Sequence, residues 1–177
     1  PQGEGVSAWE ASPEEDQPVG SAASSTRCAQ PFTSPAYPLV WNPYTLRVSA
    51  RKVGTPTDRL RISVQADTNG APSGVELDVL EINPTLLTTS LAWLDLRFAN
   101  LAANIAPGRV YYLVFQRSGG LSSGNYYRMG VDLMPISIPG VHACLTYNGS
   151  AWGQRSPTAA VVYALRGASD SLWMVEY

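Results

Sequence analysis

The sequence predicts an all-β protein: an antiparallel β-sandwich of jelly-roll type, with an extended N-terminal arm and a short C-terminal tail. Three observations lead there. Short apolar runs alternate with polar residues at a period of two, the spacing of a half-buried strand. Fifteen Gly and 14 Pro are spread between those runs rather than clustered, which suits many short strands joined by tight turns. No long segment carries the 3.6-residue periodicity of an amphipathic helix. At 177 residues the chain suits one domain. Hydrophobic residues make up 45%, enough for a core, while charged residues reach only 15%, below the usual quarter.

Residues 1–27 are rich in Ser, Ala, Pro, Gly and Glu and show no strand or helix period, so they read as an extended acidic arm. Glu4, Glu10, Glu14, Glu15 and Asp16 give residues 1–26 a charge of −5, and the remaining 12 basic and nine acidic residues give the body +3. Such an arm either stays solvated or docks on the body or on a neighbouring copy. Trp9 is the one large aromatic in it and is read as an assembly anchor.

From Gln30 onward Pro31, Pro35, Pro38 and Pro43 punctuate an irregular stretch before Tyr44–Val53 opens the strand series. Arg59–Ala66 is the cleanest strand: Leu60, Ile62, Val64 and Ala66 face one way and Arg59, Arg61, Ser63 and Gln65 the other. It ends in a turn at Asn69-Gly70, where Pro72 is expected to stop the ladder. Val75–Ile82 and Leu91–Ala99 follow as mixed strands. Arg109–Arg117 is apolar on both faces and reads as a central strand. A Gly/Ser loop over 118–124 leads to Tyr126–Leu133, Val141–Tyr147 and Thr158–Arg166, with a second hairpin turn at Asn148-Gly149. The expected division is an arm over 1–27, a sandwich over 28–167 and an apolar tail over 168–177, in which Trp173 and Tyr177 are further assembly anchors.

Certain segments resemble a known family. Arg51-Lys-Val-Gly-Thr-Pro-Thr-Asp58, Gln65 to Gly74, Leu87 to Trp93, Ala106 to Val114 and Asn125 to Asp132, in that order, look like the β-sandwich domains of choice-of-anchor type. Such domains recur in phage virion proteins and bacterial surface proteins. The resemblance spans residues 30–167 and implies a jelly-roll sandwich akin to carbohydrate-binding modules, with no fixed activity. Taken with the arm and tail, it leads to the expectation of a structural protein of a phage particle (decoration, fibre, baseplate or tail component), made in the host cytoplasm and located in the virion. The implied partners are other copies of itself and other virion proteins, with cell-surface glycan as a further partner. The alternative is a carbohydrate-binding module of a bacterial surface or extracellular protein.

Catalytic patterns are sparse. His142 is the only histidine, no Gly-x-Ser-x-Gly elbow is present, and Cys144 lies two residues from His142, a poor spacing for a dyad. Of the body's acids, Glu76 and Asp78 share a strand face and Asp95 accompanies Arg97, the pattern of a solvated sheet rather than of a glycosidase pair. A non-enzymatic role without cofactor is therefore expected. Asp67 and Asn69 have the alternating oxygens of a calcium loop, but Asp78 stands where such a loop needs Glu, and a hairpin turn accounts for them as well. Cys28 and Cys144 are 116 residues apart, and read either as ordinary buried thiols or as one disulfide.

No Lys/Arg-rich cluster points to nucleic acid, no apolar run approaches 18 residues, and no signal-peptide pattern precedes the arm, so neither nucleic acid nor membrane insertion is expected. Pro1 fits a start after removal of the initiator Met, and proteolytic maturation fits equally.

Sugar-binding sandwiches set aromatics under sugar rings and polar side chains on the hydroxyls. Two groups fit: Tyr126, Tyr127, Arg128 and Asp132 after the Gly/Ser loop, and Tyr147, Asn148, Trp152 and Gln154 on the second hairpin. For each aromatic, packing into the core is the competing role.

Overall fold

The computed structural model describes residues 6–9, 13–34, 43–99, 105–133 and 143–167. Among them are β1 (Val6–Trp9), β2 (Glu15–Val19), β3 (Arg27–Thr33), β4 (Pro43–Val53), β5 (Leu60–Thr68), β6 (Ala71–Ile82) and β7 (Ala92–Arg97). Then follow β8 (Val110–Arg117), β9 (Tyr126–Leu133), β10 (Leu145–Tyr147), β11 (Trp152–Gln154), β12 (Ala159–Val161) and β13 (Tyr163–Gly167). Two short 3₁₀ turns, at Ala23–Ser25 and Pro84–Leu86, are the only helical elements among the described residues.

The strands form two antiparallel sheets, and the expected all-β sandwich is what they build. One is six-stranded, in the order β11-β10-β3-β8-β5-β6. The other is seven-stranded, β1-β13-β4-β9-β12, with β2 on β9 and β7 on β4. Alternation fills the space between them. Cys28 and Phe32 from β3, Leu60, Ile62 and Val64 from β5, and Leu113 and Phe115 from β8 meet Leu46 and Val48 from β4, Tyr127, Met129 and Val131 from β9, and Leu165 from β13. Each is almost fully withdrawn from water, and burial of this kind stabilises a domain by about 1.5–3 kcal/mol per large apolar side chain. Gln30 ties the layers together: buried on β3, it accepts the Val161 amide of β12 through Oε1 at 2.7 Å.

The N-terminal arm is extended, but it is not separate from the sandwich. Val6–Trp9 pairs with β13, and Glu15–Val19 pairs with β9. Because β13 and β9 use their other edges for β4, the two N-terminal strands make the sheet edge opposite β7. The division at residue 27 therefore does not hold. Docking by charge explains the difference: Asp16 pairs with Arg51 at 2.7 Å and with Arg128, and Glu15 pairs with Arg155 at 2.8 Å. The acids of the arm meet the excess cations of the body.

Other expectations are corrected in detail. Residues 30–33, at the start of the stretch read as irregular, belong to β3, a strand between β10 and β8. Pro72 does not stop the hairpin ladder; it sits in β6 opposite Asp67. Thr158–Arg166 is two short strands that meet different neighbours, β9 and β4. The tail over 168–177 lies outside the described residues, as do His142, Trp173 and Tyr177; of Trp9 only the backbone is described, opposite Tyr163.

Candidate functional site

The outer face of the six-stranded sheet carries one cross-strand row from edge to edge. Trp152 stands opposite Tyr147, and Tyr147 opposite Arg27. Arg27 stands opposite Gln116, Gln116 opposite Arg61, and Arg61 opposite Glu81. The next row inward in sequence, Cys28, Phe115 and Ile62, points into the core, so this row points out. Five inter-strand steps of about 4.8 Å make it about 24 Å long.

Contacts along the row are graded from aromatic to ionic. The Tyr147 and Trp152 rings lie 5.1 Å apart at 47°. The Arg27 guanidinium sits over the other side of the pair, 5.2 Å from the Tyr147 centroid. The adjoining outward positions are small or apolar: Trp152 and Leu145 pack on Ala29, Val114 and Tyr112. That floor lets the indole lean on the sheet while remaining half-exposed. Beyond Gln116 the row becomes ionic. Arg61 donates to Glu76 at 3.1 Å and to Glu81 at 3.0 Å, and Arg59 shares Glu81 at 3.1 Å.

An open cleft adjoins the middle of this row, where Arg27, Gln116 and Arg61 line it together with Glu76, Arg117 and Leu121. Arg117 anchors its end with a two-point contact to Asp58, at 2.6 and 2.8 Å. Burial opposes ionisation of Asp58, but Arg117 and the Gly119 amide outweigh it and hold this carboxyl below its usual range. Arg27 has no carboxylate partner among the described residues and sits over the Tyr147 ring.

The two glycan-binding groups predicted from sequence fall on different sheets. Tyr147 and Trp152 come together as predicted, whereas Asn148 is used by its own turn, accepting the Ser150 and Ala151 amides at 3.0 and 2.9 Å. Gln154 reaches Thr158 at 3.4 Å. On β9, Tyr127 is a core residue, fully buried, with its hydroxyl donating to the Asp58 carbonyl; burial pushes its ionisation up. Tyr126 and Arg128 stack on the outer face of the seven-stranded sheet, where Asp16 occupies the guanidinium. Asp132 stands on β9 opposite Ala160. Adjacent residues of a strand face opposite ways, so Tyr126 and Tyr127 were never able to share a platform. Arg27, Gln116 and Arg61 were missed, because only the strand order brings them into line.

The remaining candidates take structural roles. Asp67 accepts the Tyr112 hydroxyl at 3.1 Å, while burial pushes the Tyr112 ionisation up to about 12. Asn69 and Gly70 hold positive φ, 56° and 80°, as a tight hairpin requires. Cys28 and Cys144 are free, buried thiols lying side by side rather than a disulfide. The Cys144 sulfur and the surrounding apolar core push the Cys28 thiol up. No group of three or more potential metal ligands occurs among the described residues.

No protein family, curated protein or solved structure matches the chain.

Proposed function

We propose that this chain is a non-enzymatic structural protein of a phage particle, which assembles through its terminal segments and presents the outer face of its six-stranded sheet for binding. The placement in a particle rests on the resemblance of residues 30–167 to virion sandwiches. The binding role is carried by one observation: the Trp152, Tyr147 and Arg27 cluster, which is half-exposed at the head of a polar row. The apolar faces of such rings favour a ligand with both flat apolar patches and hydroxyls.

Assembly through the N-terminal segment draws support from its position as an edge strand. Edge backbone is available to pair with another chain, and β1 continues that edge next to β2. Imaging of purified particles with an antibody or tag on this chain tests the location. A variant lacking residues 1–12 keeps β2 and its ion pairs, and is expected to fold but not to enter particles. Incorporation at the parent level would refute assembly through this segment, and absence of the chain from all particles would refute the virion role.

A further inference from the structure

We propose that the cross-sheet row binds a strand of acidic polysaccharide, with Arg27 taking a sugar carboxylate and Tyr147 and Trp152 stacking against the neighbouring ring. The inference rests on the glycan-binding part of the reading above and is independent of whether the domain sits in a particle. Three features carry it. The row crosses all six strands of the sheet and is about 24 Å long, the reach of an extended chain of several sugar rings rather than of a small molecule. Its aromatic end is half-exposed and fixed: Trp152 is held between Tyr147 and the apolar floor, so little side-chain freedom is lost when a ring stacks on it.

The third feature is the charge balance. Four guanidinium groups, Arg27, Arg59, Arg61 and Arg117, meet three carboxylates, Asp58, Glu76 and Glu81. The carboxylates are all committed to Arg59, Arg61 and Arg117. The surplus cation is Arg27, which sits over the Tyr147 ring and lines the cleft. Arg61 is in turn held by Glu76 on one side and Glu81 on the other. Ligand hydroxyls reaching that end meet carboxylate oxygens as acceptors and the Gln116 amide as donor and acceptor. A carboxylate at the Arg27 end and hydroxyls at the Glu76 end match this order; a uniformly anionic polymer such as nucleic acid would place negative charge on Glu76 and Glu81.

Titration of the folded full chain with gellan, a linear polysaccharide with one uronate in each four-sugar repeat, with its carboxyl-reduced neutral counterpart and with a neutral glucan, followed by Trp fluorescence and calorimetry, tests this. Gellan is expected to bind, more weakly at high salt, and its carboxyl-reduced form to bind about tenfold less tightly. Arg27→Gln is expected to lose about tenfold for the acidic polymer and little for the neutral ones, and Trp152→Ala to weaken all of them. Trp93→Ala on the opposite sheet is the control and is expected to change nothing. Equal binding of acidic and neutral polymers, unaffected by Arg27→Gln, would overturn the acidic specificity and leave glycan binding standing. Failure of all three polymers to bind the folded protein would overturn both. Unfolding curves of each variant confirm that a loss of binding is not a loss of fold.

Discussion

Arg51 and Arg128 stand directly opposite each other across β4 and β9, and Asp16 of β2 contacts both. Like charges at facing positions of an antiparallel pair repel. The edge strand supplies the counter-ion, and all three side chains are mostly withdrawn from water, with Asp16 at 15% exposure. Attachment of the N-terminal segment and neutralisation of the sheet are thus one interaction.

Asp16→Asn is therefore expected to destabilise the protein by about 2 kcal/mol, because two guanidinium groups remain face to face without a counter-ion. Urea unfolding at neutral pH measures this. Adding Arg51→Gln to Asp16→Asn is expected to recover part of the loss, since the repulsion then has only one member. A double variant no more stable than Asp16→Asn would show that repulsion is not the cause.

The Asp58 and Arg117 pair sets an acid limit. The folded carboxyl ionises below its ordinary value, so its contribution to stability is complete above the unfolded value of about 3.9 and disappears as pH falls through the folded one. Asp58→Asn is expected to be less stable than the parent at neutral pH, with the gap closing in acid. Thermal unfolding of both proteins from neutral to strongly acidic pH checks it. A gap that stays constant would mean that Asp58 acts through shape and hydrogen bonding alone.

Much of this architecture was legible locally. The period of two in Leu60–Ala66 and the positive-φ pair Asn69-Gly70 define the hairpin of β5 and β6, and the Asn148-Gly149 turn brings Tyr147 opposite Trp152. Two of the strands that were missed contain proline. Pro18 lies in β2 and Pro31 in β3, and in both the carbonyl accepts the side-chain amide of the preceding glutamine, Gln17 at 3.1 Å and Gln30 at 3.0 Å. The glutamine before each proline thus adds a local hydrogen bond to the strand, which period counting does not register. The binding row was hidden for a different reason. Arg27, Gln116 and Arg61 are far apart in sequence, and their alignment depends on β3, β8 and β5 being neighbours. Strand order is a property of the whole chain, not of any window within it.

Cys28 and Cys144 lie on the same face of neighbouring strands, but diagonally: Cys28 is opposite Thr146, two residues beyond Cys144. Both thiols are buried, and the one with the raised ionisation is poorly reactive. Alkylation without reductant is expected to modify neither cysteine in the native protein and both after unfolding in guanidinium. Mass spectrometry counts the adducts. An unfolded chain that takes none would contain a disulfide and contradict the free-thiol arrangement.

Gly54 follows β4 at the point where the chain turns beneath the loop before β9, with φ at +65°. A Cβ there would lie 2.1 Å from the Gly124 carbonyl oxygen and 2.5 Å from Asn125 Oδ1. That Asn125 oxygen also accepts the Thr55 amide at 2.7 Å, so it has no free direction in which to retreat. Gly70 provides the comparison: its φ is +80°, yet a Cβ would meet nothing within 4 Å. Left-handed backbone alone costs an alanine about 1–2 kcal/mol, and this is the expected loss for Gly70→Ala. Gly54→Ala adds a steric clash with backbone and with a committed hydrogen bond, so its loss is expected to be about 3 kcal/mol or more. Denaturant unfolding of the two variants separates the terms. Equal losses would mean that the loop at Gly124 and Asn125 yields readily, and that the contact between β4 and the start of β9 is softer than its geometry implies.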